Sequence, residues 1–168
     1  MWLRVLPLLS LVLLSQPIVA QQSEAPQLEV VPDGCPVTRP YKTGRFVPPA
    51  PYWTELDTGR FWFGTDKLWT ALPLDGIWER SNFTKLFWWR QSYDAHREPQ
   101  PKLIVIGKRL DSPAPNLIED RATNAFGPPR SAMLISVELP PTGCWQITGL
   151  YEDDELTFVA WIRTVEVP

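Results

Sequence analysis

The chain has 168 residues, with 16 Lys and Arg against 19 Asp and Glu, one His, two Cys, 19 Pro and nine Trp, and a formal net charge of −3. A mildly acidic chain without a basic run lacks the electrostatic footprint of a nucleic-acid binder, and at 44% hydrophobic it is too apolar to be disordered throughout. Proline stands at roughly twice its usual share of ~5%, a density that forbids long helices and favours short strands joined by stiff loops.

In chain order, residues 1–20 come first. Arg4 precedes an apolar run over 5–14, followed by a Ser15-Gln16-Pro17 break and the small-residue end Ile18-Val19-Ala20. This is the layout of a secretory signal peptide, and the run is well short of the ~20 residues that span a bilayer. No later segment is apolar and long enough to be a transmembrane helix. Residues 21–34 read as a polar leader with a short strand at 28–31, and residues 35–168 as a single domain. Export to a periplasm or to the outside is the expected location. In such an oxidising compartment the two cysteines, Cys35 and Cys144, are expected to pair as a disulfide. Closing a loop of that size is worth roughly 4–5 kcal/mol in the chain-entropy picture.

Residues 35–59 carry five prolines and form an extended loop segment. From residue 60 the pattern changes to strands at 60–64, 67–72, 76–79, 84–90 and 102–110. A turn-rich stretch over 111–130 follows, and then strands at 131–139, 143–151 and 155–165. The last strands alternate cleanly. Met133, Ile135, Val137 and Leu139 share one face, as do Leu156, Phe158, Ala160 and Ile162. Glu152-Asp153-Asp154 joins two of them as a hairpin tip. The sum is an all-β fold, an immunoglobulin-like antiparallel β-sandwich of about seven to eight strands. The antibody pattern itself is not met, because Trp145 directly follows Cys144 and Cys35 sits in loop-like sequence.

Phosphate-loop, zinc-helix and nucleophile-elbow motifs are missing, and no cofactor or metal site is expected. His96, in the loop QSYDAHREPQP, is the one weak catalytic candidate, a general base if Asp94, Asp111 or Glu119 comes beside it. The acidic tip lacks the spacing of a calcium loop and reads as a solvated turn. Tryptophan is the surplus. Trp88 and Trp89 point to opposite faces of one strand, as Trp62 does relative to Phe61 and Phe63. Either these strands are covered on both faces, or a row of rings drawn from Trp62, Trp69, Trp88 and Trp89 is left exposed as a docking platform for sugar rings, an apolar ligand or another protein. Arg90, on the face of Trp88, is placed to stack on it. Asn82-Phe83-Thr84 matches a glycosylation acceptor, relevant only in a eukaryotic secreted protein.

Several segments carry a resemblance when taken in order. They are Cys35-Pro36-Val37-Thr38, Gly64-Thr65-Asp66-Lys67-Leu68-Trp69, Lys85-Leu86-Phe87-Trp88-Trp89-Arg90, Gly107-Lys108-Arg109-Leu110-Asp111 with Pro113, and Gly143-Cys144-Trp145-Gln146-Ile147-Thr148-Gly149 leading to Leu156-Thr157-Phe158. Together they resemble a group of exported bacterial proteins and lipoproteins of no established activity, and the Gly-Cys-Trp-x-Ile-Thr-Gly element is the most specific part. The resemblance implies a bacterial source, export and one β-rich domain, and it carries no site residue. The lipid-attachment Cys of the lipoprotein members has no counterpart here. The functional expectation is an exported, non-enzymatic domain that binds an envelope or extracellular ligand, a glycan or a protein. The alternatives are a small extracellular hydrolase built on His96 and a purely structural envelope module.

Overall fold

A computed structural model describes residues 30–41, 46–52, 55–80, 84–126 and 131–164. The signal segment, the leader up to residue 29, Trp53 and the Asn82 acceptor lie outside the described residues. Among the described residues there are ten strands: β1 (Arg60–Gly64), β2 (Leu68–Pro73), β3 (Ile77–Arg80), β4 (Thr84–Arg90), β5 (Ile104–Arg109), β6 (Leu117–Glu119), β7 (Thr123–Ala125), β8 (Ala132–Val137), β9 (Gly143–Tyr151) and β10 (Asp154–Thr164). They form two five-stranded sheets with the orders β1-β2-β4-β8-β7 and β3-β10-β9-β5-β6. All pairings are antiparallel except β3 with β10.

The count therefore exceeds the seven or eight strands expected. The two additions, β6 and β7, are three-residue edge strands inside the segment that reads as turns. Neither is long enough to show a period, and only pairing with β5 and β8 reveals them. Residues 30 and 31, at the end of the expected 28–31 strand, are irregular.

The alternating residues of β8 and β10 are buried as their parity demands. They join Phe61, Leu68, Trp88, Val105, Trp145 and Ile147 in one core that draws on both sheets, a sandwich-like packing. Trp88 of the first sheet lies at the backbone of Gly149 in the second, where an added Cβ would sit 2.4 Å from the indole ring. Phe158 approaches Trp88 at 6.0 Å and Phe63 at 6.4 Å between ring centres.

The outer face of the first sheet is also covered. Trp69 and Trp89 pack there with Tyr52, Ala132 and the half-buried Phe46, Trp62, Ala71 and Phe87. Phe46 and Tyr52 come from the proline-rich segment, so that segment shields the sheet.

The Cys35–Cys144 disulfide is formed, with Cα atoms 5.6 Å apart. Cys144 alternates with the core residues Gly143 and Trp145, so the bond lies on the outer face of the second sheet rather than between the sheets. It holds the 30–39 segment there over Trp161, beside Val31, Val37, Ile77 and Val159. Thr38 takes the place of a strand neighbour along β10, since its N–H donates to Val159 O and its hydroxyl accepts from Val159 N–H. Gly76, at φ 69°, turns the chain out of β2, and any side chain there would meet Val37 at 2.7 Å.

Candidate functional site

The residues singled out from the sequence separate into three places. Trp88 is fully buried between the sheets, while Trp69 is 0% and Trp89 9% exposed under the proline-rich segment. An exposed row is thus not what the fold builds: of the two arrangements open to these strands, the covered one holds. The reason is local. Trp62, Trp69 and Trp89 share the outward parity, and Phe46 and Tyr52 close over them, with Tyr52 edge-on to Trp69 at 5.1 Å. The indole N–H groups of Trp69, Trp88, Trp89 and Trp161 are buried without a hydrogen-bond partner.

Arg90 does not stack on Trp88, whose faces are taken by the core. Its guanidinium lies 5.3 Å from the ring centre of Tyr151 and pairs with Glu152, and with Asp154 at 3.2 Å. Lys67 reaches the same Asp154 at 3.6 Å. The acidic hairpin tip is therefore only partly a solvated turn: two of its carboxylates tie the β9–β10 hairpin of one sheet to β4 of the other and to Lys67, which precedes β2. Among the described residues no group of three or more His, Cys, Asp or Glu side chains could hold a metal ion.

His96 is exposed, its ring 5.2 Å from that of Phe126. Each carboxylate considered as its partner is engaged elsewhere. Asp94 accepts from the backbone N–H of His96 at 2.9 Å and pairs with Arg97 at 3.4 Å. Asp111 is held by Arg109 at 2.6 Å and Glu119 by Arg121 at 2.9 Å. The Arg109 guanidinium draws the Asp111 carboxyl below its usual range, and Arg121 does the same to Glu119. These are ion pairs that position loops.

The nearby tyrosines form a second polar network. Tyr93 donates to Glu98 O at 3.0 Å, and Tyr151 donates to the Glu98 carboxylate. Burial, then the charge of Glu98, pushes the Tyr93 phenol up to about 12 and raises Tyr151 as well. A folded-state pKa raised above the unfolded value means stability that is complete below the ordinary phenol range. It is lost as pH climbs through the folded value. Denaturant midpoints are accordingly expected to fall between about pH 10 and 12, and Tyr151→Phe should flatten that alkaline limb.

The most distinctive cavity lies where the first sheet forks. β2 and β4 pair only over Leu68–Thr70 against Trp88–Arg90, although β2 continues to Pro73 and β4 begins at Thr84. Pro73 has no N–H to extend the ladder, and the chain then dives to β3 in the opposite sheet. At the crotch the Thr70 hydroxyl donates to Phe87 O at 2.8 Å. The strands part beyond that bond to leave a groove of about 540 Å³, walled by Ala71 and Pro73 on one side and Lys85 and Phe87 on the other, and reaching Trp78 of β3. Trp89 and Arg60 also line it. A second groove of about 380 Å³ adjoins it through Arg60 and includes Trp62, Val47 and Leu74.

Of the expected binding residues, Trp89 lines the main groove and Trp62 the neighbouring one. Trp69, Trp88 and Arg90 line neither. Sequence reasoning missed Arg60, Pro73, Trp78, Lys85 and Phe87. The signal for two of these was present in Thr84–Arg90, where parity puts Lys85 and Phe87 on the face of Trp89.

Comparison with models of known protein families, with curated proteins and with solved structures yields no match. Among the described residues no helix is long and apolar enough to cross a membrane.

Proposed function

We propose that this is an exported, non-enzymatic binding domain of the bacterial envelope or exterior, with an immunoglobulin-like sandwich as its scaffold and the fork between β2 and β4 as its binding site. The signal-like residues 1–20 and the Cys35–Cys144 bond support export. The resemblance to exported bacterial proteins points the same way. The observation that carries the binding role is the groove itself, a concave opening through a sheet, with aromatic walls and cationic side chains, whereas Asp94, Asp111 and Glu119, the carboxylates weighed as partners of His96, are held in ion pairs with arginines.

Because Trp78 and Trp89 line the groove, ligand entry should change their emission. Titration of the oxidised protein with peptidoglycan fragments, which offer both sugar and peptide, is expected to give a saturable fluorescence change. Phe87→Ala should weaken it at least tenfold. A flat response in the unaltered protein, together with no binding of simpler peptide or sugar probes, would overturn the assignment. The purely structural alternative draws on the burial of Trp69, Trp88 and Trp89, and it predicts that flat response.

A further inference from the structure

Resting on the groove being the binding site, we infer that its ligand is an extended acidic peptide segment, laid alongside β4 as an added strand. The first ground is the backbone. Phe87 O accepts from Thr70 across the crotch, so Phe87 faces β2, and by alternation Lys85 does too. On the other wall Leu68 O accepts from Thr65 N–H on the β1 side. Alternation then turns Ala71 and Pro73 toward the fork. Pro73 has no N–H and its carbonyl accepts from Gly76 N–H at 3.1 Å, and Phe87 O is held by Thr70, so beyond the last β2–β4 pair the main-chain groups left to face the gap are those of Ala71 and Lys85 and the N–H of Phe87. From Lys85 to Phe87 the β4 edge along the gap spans about 10 Å at the usual strand rise, room for a peptide of about three residues. Addition of a strand to an open sheet edge is an established way of capturing a peptide.

The second ground is charge. The groove is lined by Arg60, Lys85 and Arg163 against Asp75 and Glu79, a balance of one positive charge; Glu79 pairs with Arg163, and Asp75 accepts from Ile77 N–H at 3.0 Å and keeps its charge. Lys85 is exposed and has no carboxylate partner among the described residues, and Arg60, across the groove, holds Asp57 only at 3.6 Å with both side chains largely in solvent. The surplus is cationic and flanks the open edge, so acidic side chains on the incoming strand fit it.

The third ground separates peptide from sugar. A sugar needs a free ring face to stack on. Here Phe87 is stacked on Trp89 at 6.1 Å and 22°, and Trp62 meets Trp89 edge-on at 5.0 Å. These rings are largely spent on each other, while the main chain of Lys85 and the Phe87 N–H still face the gap.

The test uses the full oxidised chain and three probes: a capped decapeptide of alternating Val and Glu, the same peptide N-methylated at alternate residues, and trigalacturonate. The plain peptide is expected to bind saturably by calorimetry. N-methylation should abolish that binding, and Lys85→Glu should weaken it at least tenfold while the melting temperature stays unchanged. On binding, exchange of the Lys85 and Phe87 amides should slow. The inference is overturned if the plain peptide does not bind, or if the N-methylated peptide binds equally well. If trigalacturonate alone binds, and Phe87→Ala weakens it, the groove remains the binding site and only the strand assignment falls. If no probe binds and peptidoglycan fragments also leave the fluorescence flat, both fall.

Discussion

Replacing Trp88 by alanine is expected to lower the stability of the fold by about 3–5 kcal/mol. The side chain has no solvent exposure and bridges the sheets, touching Phe158 and lying on the backbone of Gly149. Truncation empties a space that no neighbour can enter without moving a strand. The reciprocal change acts on the same contact from the other side. Gly149→Ala puts a methyl group 2.4 Å from the ring, so ring or strand must shift, at a cost of about 1–3 kcal/mol. Because the two sites touch, their effects should not add. Gly149→Ala in a Trp88→Ala background is expected to cost much less than in the unaltered chain. Urea unfolding of the four proteins, followed by circular dichroism, measures the coupling. Additive losses would show that Trp88 and Gly149 do not share a contact.

Loss of the disulfide is expected to cost about 2–5 kcal/mol without dissolving the sheets. The bond closes a separation of 109 residues, so the unfolded chain gains much freedom when it is removed. Its place on the outer face of the second sheet decides what the folded state loses. The 30–39 segment should loosen, uncovering Trp161 and the β10 edge that Thr38 occupies. Cys35→Ala with Cys144→Ala should therefore show a lower denaturant midpoint, a red-shifted tryptophan component and an unchanged far-ultraviolet β signal. A bond spanning the core would instead loosen both sheets together.

The Gly143–Gly149 stretch shows what the sequence made legible and what it did not. Period two announced the strand and set Trp145 and Ile147 inward. It could not say why the stretch begins and ends in glycine. In the fold, Gly143 leaves room for the Arg109 guanidinium, which a Cβ would meet at 2.6 Å, and Gly149 leaves room for Trp88. Cys144 holds the N-terminal segment, and the Thr148 hydroxyl bonds that of Thr157 at 2.8 Å. The most specific element of the sequence is thus explained by packing.

Parity likewise separated Trp88 from Trp89, yet it gave no sign that Phe46 and Tyr52 would roof the outer face. That contact joins segments whose spacing in the chain carries no period. The fork was hidden for a related reason. A strand ending in proline is visible at Leu68–Pro73, but which strand it would have paired with depends on β3 leaving for the other sheet. Lys85 and Phe87 acquire their meaning only from that departure.

Amide hydrogen exchange of the ligand-free protein tests the fork most directly. Leu86 faces β8 and Trp89 lies within the paired part of β2 and β4, so both amides should be protected. Lys85 and Phe87 face the gap, and their amides are expected to exchange at least about a hundredfold faster than those two. Equal protection along all of β4 would mean a closed sheet, and with it no groove for a ligand to enter.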